Sequence, residues 1–185
     1  MAELRADARG NRDQILAAAQ LVFREQGVNV SMKDIADAAG VGVGTLYRRF
    51  PDRGALISAT AHSYLSALSD LAATAERESP DAWHALSRLL RECAELRLGA
   101  IASAVEPALH ADIKADPALT EVRATITTRI ARLTTQAHTD GTLRPDVTPE
   151  DIARLMTLQI YTAPDESHPQ AINRVLDLLL KGLRP

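Results

Sequence analysis

The chain has 185 residues, of which 46% are hydrophobic, 24% are charged and 3% are aromatic. This balance is ordinary for a globular protein of one or two domains, and the abundance of alanine and leucine favours helices over strands. One cysteine excludes an intramolecular disulfide, and a formal net charge of −3 disfavours a general polyanion binder.

The charge is divided unevenly along the chain. Residues 1–54 carry a net charge of +1 and residues 55–185 a net charge of −4, so nucleic-acid contacts are expected in the N-terminal part. The charged N-terminus lacks the apolar segment of a secretory signal, and no apolar run approaches the roughly 20 residues of a membrane span. These features predict a cytoplasmic protein with no membrane partner.

Three short elements come first. Apolar residues at helical spacing predict an amphipathic helix over residues 12–26, with Asn11 as its N-cap and Gly27 after its end. Ser31 caps a second helix over residues 32–39, where Asp34 completes a short capping box and Gly40 stops the helix. A third helix is predicted over residues 43–50.

Five longer helices follow, and several of them begin at or near a proline. No strand-like alternation is present, so the predicted fold class is all-α. The predicted helices span residues 53–77, 82–103, 117–138, 149–163 and 169–182.

Two short helices joined by a glycine turn predict a helix-turn-helix. Gly40 can adopt a positive φ, and Leu46 and Phe50 are expected to face the core. The third helix would be the recognition helix. Its opening residues Gly42 and Gly44 disfavour helix, but they leave the first turn open to a phosphate or a base edge.

Polar and cationic side chains follow these glycines on the third helix. A threonine, a tyrosine and two arginines would form a small cationic face with another arginine and an exposed lysine. Taken singly, such arginines are usually solvated surface and such glycines are usually loop residues. The order of the whole combination within about 40 residues distinguishes it from those simpler interpretations.

Residues 12–58 resemble the DNA-binding domain of the TetR family of transcriptional regulators, on the stretches ILAAAQLVFREQG and SMKDIADAAGVGVGTLYRRFPDRGALI. The resemblance implies a three-helix DNA-binding domain over 1–54 and a larger helical ligand-binding and dimerisation domain over 55–185. It also implies a homodimer that binds double-stranded, palindromic operator DNA, usually to repress.

The resemblance carries DNA contacts onto nine positions. Ser31 and Lys33 would lie at or near the DNA backbone, and Val43, Gly44 and Thr45 would lie nearest the base edges. Tyr47 would contact a phosphate. The further candidates are Arg48, Arg49 and Arg53. Four positions depart from the common pattern. Gly42 stands where serine is frequent, Arg49 where histidine is, Arg53 where lysine is, and Gly54 where an acidic residue is. DNA binding is still expected, since both arginines keep the positive charge.

The C-terminal part holds two sets of candidates. The final two helices show apolar stripes that would form a dimer interface through Ile152, Leu155, Ile160, Ile172, Val175, Leu176, Leu179 and Leu183. A pocket for an unknown small-molecule ligand would be lined by Trp83, Leu86, Leu90, Cys93, Leu133 and Met156. In each set the alternative is ordinary core packing within one chain.

The remaining candidates are weak. Cys93 is interpreted as inert core rather than a redox sensor, and the five histidines show no metal-ligand spacing, so neither a metal nor a cofactor is expected. Arg97 and Glu106 are possible inducer contacts, although solvated surface is the simpler interpretation.

The predicted function is a DNA-binding transcriptional regulator, a repressor that a small-molecule ligand releases from its operator. One alternative is a regulator without an inducer, or an activator. A helical enzyme is a further alternative with little support, because none of the common catalytic motifs is present.

Overall fold

A computed structural model describes residues 2–26, 29–96 and 117–185. Within those ranges the chain forms eight helices and no strand, as predicted for an all-α fold. They are α1 (Ala2–Gln26), α2 (Met32–Ala38), α3 (Val43–Arg49), α4 (Arg53–Glu78), α5 (Ala82–Glu95), α6 (Pro117–Thr139), α7 (Pro149–Met156) and α8 (His168–Leu183).

The contacts divide the chain into two compact units. Among the described residues, the first unit holds 2–26 and 29–64, and the second holds 65–96 and 117–185, so α4 contributes to both. The boundary expected after residue 54 stays a prediction.

The core of the first unit is an apolar cluster shared by the first four helices. The stripe of α1 is buried as its periodicity predicts, with Ile15 and Ala19 completely inaccessible to solvent. Leu46 of α3 and Phe50 are buried in the same cluster, as expected for the inner side of a recognition helix. The other members of this cluster are Leu16, Ala18, Val22, Phe23, Met32, Ile35, Ala36, Ala39 and Leu56.

The turn between α2 and α3 depends on Gly40. This residue has φ of 65°, in the left-handed region where a side chain is disfavoured. The Gly40 N–H donates to the carbonyl of Asp37, and the Val41 N–H donates to the carbonyl of Ala36. This pair of bonds is a Schellman motif, which satisfies the last carbonyls of α2 and fixes the direction in which α3 leaves it.

Side chains cap the start of α2 and the start of α4, the helices on either side of α3. The Ser31 hydroxyl accepts from the Asp34 N–H at 3.0 Å, and the Asp34 carboxylate accepts from the Ser31 N–H, so the predicted capping box is present. At the start of α4, the Asp52 carboxylate accepts from the Ala55 N–H at 2.8 Å. This cap offsets the helix-weakening effect of Gly54, the second residue of α4.

The second unit is organised around α5, which packs against α6, α7 and α8. Leu86, Leu89 and Leu90 of α5 are almost fully buried, and α8 contributes Ile172 and Leu176, which cluster with Ala94. The end of α8 is tied to the loop between α6 and α7, because the Arg144 guanidinium donates to the Gly182 carbonyl at 3.0 Å.

Three predicted helix boundaries differ from the structure by more than one residue. The first helix begins at Ala2 rather than at residue 12, because the preceding residues are mostly good helix formers. Asn11 therefore lies inside α1 and is not its N-cap. Gly27, the expected C-terminal stop, lies outside the described residues.

The other two differences shorten helices. The helix α7 ends at Met156 instead of residue 163, and the Thr157 hydroxyl donates to the Arg154 carbonyl at this end. The residues that follow lack a continuous apolar face, so Ile160 lies beyond the helix. The helix α5 ends at Glu95, and the expected continuation over 97–103 falls outside the described residues.

Candidate nucleic-acid interface

The candidate nucleic-acid interface is the outer face of α3. Leu46 is completely buried and anchors the helix in the core of the first unit, so the opposite face is solvent-exposed. That face consists of Gly44, Tyr47, Arg48 and Arg49. Because the inner face, the turn and the cap of α2 are all fixed, these side chains extend from a rigid support.

Gly44 has no packing role in the free protein. A Cβ added at this position would meet nothing within 4 Å, although glycine in a helix costs about 1 kcal/mol relative to alanine. Gly42 is the N-cap of α3 and has an extended backbone that any residue can adopt. Neither glycine is required by the fold. The exposed backbone of this first turn is explained better by a binding partner that approaches it closely.

Thr45 and Arg48 interact directly on α3. The Nη2 of Arg48 donates to the Oγ1 of Thr45 at 2.9 Å, and Thr45 itself is half-buried. This bond holds the Arg48 guanidinium along the helix surface. The neighbouring Tyr47 ring is 47% exposed and presents its phenol to solvent.

An open depression of about 360 Å³ lies beside these residues and is lined by Thr45, Arg48, Arg49 and Asn11. Asn11 comes from α1, and its place beside α3 was not expected because the sequence predicts it as a helix N-cap. Its spacing four residues before Ile15 is the signal that places it on the inner side of a longer helix. The next residue, Arg12, stacks over the Phe50 ring, with its guanidinium carbon 5.5 Å from the ring centroid.

Two of the predicted DNA contacts, Ser31 and Lys33, already have partners within the chain. The Ser31 hydroxyl is part of the capping box, and hydrogen bonds from Ser31 hold the pKa of Asp34 below its usual range. Lys33 is exposed, but its Nζ lies 2.6 Å from the Asp37 carboxylate, which raises the pKa of Lys33. These two residues must share or exchange those bonds to contact DNA.

Two other predicted contacts are half-buried. Val43 begins α3 and packs against the core of the first unit, and Arg53 begins α4. The structure therefore brings Gly44, Thr45 and the two adjacent arginines together on one face, with Val43 and Arg53 at its two ends along the chain.

Comparison with known proteins connects this geometry to a family. The family described as bacterial regulatory proteins, tetR family, matches residues 15–60, and the SbtR-like transcriptional regulator C-terminal domain matches residues 79–185. The chain belongs to the TetR family. It is a helix-turn-helix transcriptional regulator, and its family consists of regulators rather than enzymes.

Solved structures of TetR regulators agree over nearly the whole chain. One from Mycobacterium vanbaalenii is 30% identical, has a TM-score of 0.68, and aligns over 98% of this chain and 99% of its own. Another from Streptomyces coelicolor is 34% identical, has a TM-score of 0.64, and aligns over 94% and 98%. An HTH-type transcriptional regulator of Staphylococcus aureus (strain USA300) is 48% identical over 54 residues, which is only 29% of the length of each chain.

The TetR-type C-terminal domain holds the predicted ligand-binding residues in its interior. All six are buried, namely Trp83, Leu86, Leu90, Cys93, Leu133 and Met156. Burial raises the pKa of the Cys93 thiol to about 12, so little of the reactive thiolate forms near neutral pH. Arg97 and Glu106, the charged candidates, lie outside the described residues.

The predicted dimer residues fall into two groups. Three of them, Ile152, Ile172 and Leu176, are buried within the single chain and have no free surface. The others are half-buried, namely Leu155, Ile160, Val175, Leu179 and Leu183. Leu178 of α8 is 66% exposed and lies outside the apolar stripe that the sequence predicts.

Over residues 2–26, 29–96 and 117–185, no helix is long and apolar enough to span a membrane. In the same ranges, no group of three or more histidine, cysteine, aspartate or glutamate side chains is arranged to hold a metal ion.

Proposed function

We propose that this TetR-family protein represses transcription in the cytoplasm by binding a duplex operator as a homodimer, and that a small molecule releases it. The helix α3 of each subunit enters the major groove, where Gly44 and Thr45 lie nearest the base edges. Tyr47, Arg48 and Arg49 contact the phosphates on either side.

The exposed face of α3 is the observation that carries this proposal. Its glycine at position 44 is unnecessary for packing and its cations point away from the core, which suits close approach to a polyanion. The rest of the helix-turn-helix is held by Leu46, the Schellman turn at Gly40 and the capping box at Ser31. Recognition would therefore use a helix-turn-helix whose packing is already fixed, and only the side-chain bonds of Ser31 and Lys33 would have to be shared or exchanged.

The homodimer that is typical of the family is proposed to form through α8 and its neighbouring residues. Leu178 exposes a large apolar side chain there, and the half-buried Val175 and Leu179 lie within one turn of it. An isologous pairing of this face would cover Leu178 in both subunits. The buried residues Ile172 and Leu176 would support the interface from inside each subunit.

The ligand is proposed to be a largely apolar small molecule that binds among the helices of the second unit. The six buried candidates lie on α5, α6 and α7, and α5 packs against the other two helices and α8. A ligand that favours one arrangement of these helices over another can change the spacing of the two recognition helices. Operator affinity would then fall by the same factor by which DNA reduces ligand affinity.

The direct test is a selection of duplexes from a random-sequence library by the purified full-length protein, followed by mobility shifts with the enriched sequence. We expect an enriched palindrome whose two half-sites are spaced to match a dimer, and binding that weakens steeply with salt because several phosphate counterions are released. A selection that enriches no sequence above the starting library contradicts the proposal. In vitro transcription from a promoter carrying the palindrome then separates repression from activation.

A further inference from the structure

We infer that Asn11 of α1 joins Arg48 and Arg49 of α3 in a seat for one phosphate of the DNA backbone. This inference rests on the proposed function, since it names a contact of the same interface. It adds the first helix to a surface that the sequence assigns to α2, α3 and the start of α4.

The position of Asn11 on α1 supports the inference. Asn11 precedes Ile15 by four residues and Ala18 by seven, so it lies on the same side of the helix as the buried stripe. The stripe continues with apolar residues, but at position 11 it becomes a half-buried amide. The amide is therefore placed where α1 passes α3, and it lines the depression of about 360 Å³.

A second contact fixes α1 at this point. The Arg12 guanidinium lies 5.5 Å from the centroid of the Phe50 ring, and Phe50 is buried directly after α3. A cation–π contact of this kind stabilises the packing of the two side chains. Asn11 is thus held beside α3 by its own helix, by the Ile15 packing and by the neighbouring Arg12 contact.

The lining of the depression is suited to an anion. Its four residues provide two guanidinium groups, one amide and one hydroxyl, and none of them is acidic. The bond from Arg48 to the Thr45 hydroxyl holds one guanidinium in position and leaves the hydroxyl proton free to be donated. Phosphate oxygens accept hydrogen bonds from all of these groups.

A backbone phosphate fits this place better than a base edge. The amide is half-buried on a helix that flanks the recognition helix, while Gly44 and Tyr47 occupy the exposed face of α3. In a docked helix-turn-helix the recognition helix fills the groove, and flanking elements meet the strand backbone. Asn11 would contribute a neutral donor next to two cations, which orients the phosphate without adding charge.

The test compares two pairs of variants on the selected palindrome. Asn11→Ala should weaken binding at least about tenfold, because each of the two subunits loses one hydrogen bond to a phosphate. Asn11→Asp should weaken it about 100-fold or more, since a carboxylate would face the phosphate and pair with the arginines. Alanine is the better helix former, so Asn11→Ala should not destabilise α1.

Gln26 provides the matched control at the other end of α1. Its exposed amide lies about 22 Å along the helix from Asn11, at a rise of about 1.5 Å per residue. Gln26→Ala and Gln26→Glu repeat the same chemical changes and the same change in net charge. We expect less than about a twofold effect from either variant.

Neutral methylphosphonates placed singly along each strand identify the partner. The tenfold penalty of Asn11→Ala should fall below about twofold when one phosphate and its symmetry mate are neutralised, because the two changes remove the same contact. The proposed phosphate seat is wrong if Asn11→Ala weakens binding equally whichever phosphate is neutralised. It is also wrong if the effect of Asn11→Ala disappears only when a base is changed. Binding by Asn11→Asp that equals Gln26→Glu also overturns it.

These outcomes are separable from failure of the proposed function. If the wild-type protein selects no operator, the proposed function has failed. If the wild type binds its palindrome and both Asn11 variants bind as well as the Gln26 variants, only the phosphate seat has failed.

Discussion

The two units differ in where their functional residues lie. In the first unit most of the candidate residues lie on α3 or beside it, within a few positions of one another in the sequence. In the second unit the ligand candidates are buried on three helices, α5, α6 and α7, and span residues 83–156 of the chain. A surface site made from one short helix can be identified from a local pattern, whereas an internal site depends on how distant helices pack.

The two kinds of site also restrict their residues differently. DNA recognition restricts which side chains can stand on α3. A helical interior that keeps its volume and apolar character can accept many combinations of residues.

Leu178→Glu is the prediction with the largest expected effect, and it tests whether the second unit also has a functional surface. The substitution leaves a charge in water in the monomer but buries it unpaired in the proposed dimer, which should cost about 3–5 kcal/mol of dimer stability. Sedimentation should show a monomer with an unchanged helical spectrum. A dimer of undiminished stability would exclude this face of α8.

Leu176→Glu is the comparison variant for that experiment. The sequence alone places Leu176 at the dimer interface, but its side chain is only 2% exposed within the single chain. This variant should therefore lose helical structure in the second unit and not merely dissociate.

Tyr47→Ala and Thr45→Ala test the surface of the first unit. Each should weaken operator binding by about 1–3 kcal/mol, through loss of a phosphate contact or of a contact to a base edge, while the thermal midpoint changes little. Fluorescence anisotropy with the selected duplex measures the loss. Tyr161→Ala is the control, since Tyr161 is 83% exposed in the second unit, and wild-type affinity in both α3 variants would remove this helix from its assigned role.

Gly44→Ala separates folding from recognition at a single atom. The added methyl meets nothing in the free protein, so the free energy of unfolding should rise by about 1 kcal/mol. Operator affinity should fall, because the methyl would occupy the space where the first turn of α3 approaches DNA. Thermal denaturation and anisotropy on the same sample measure both changes, and equal or tighter DNA binding would contradict the close approach.

Gly42→Ser has the smallest expected effect. The backbone at this N-cap is already extended, so a serine hydroxyl can cap α3 and stabilise the first unit by a few tenths of a kcal/mol. Operator affinity should not fall, because the TetR family often carries serine at this position. A clear loss of affinity would mean that the groove requires glycine here as well as at position 44.

The parts of the fold that follow from local periodicity were predictable. The buried stripe of α1, the capping box at Ser31 and the inward direction of Leu46 all depend on residues within a few positions of one another. The end of α7 was not predicted correctly, because the helix stops at Met156, after which the residues lack a continuous apolar face, rather than at residue 163.

The candidate site was predictable in its chemistry and less so in its membership. The pattern of α3 identified Thr45 and the two arginines, but Asn11 is more than 30 residues away in the chain and joins them only through packing. Leu178 was not among the predicted dimer residues, because an exposed leucine outside an apolar stripe has no periodicity to mark it.

The positive φ of Gly40 has a consequence for inheritance. Almost every other amino acid is strained at that angle, by roughly 1–2 kcal/mol, and asparagine is the most tolerated exception. A genetic screen for derepressed mutants should therefore recover codon 40 alongside the codons for DNA-contacting residues, although this residue only sets the bend between two helices. Revertants at that codon should restore glycine or introduce asparagine.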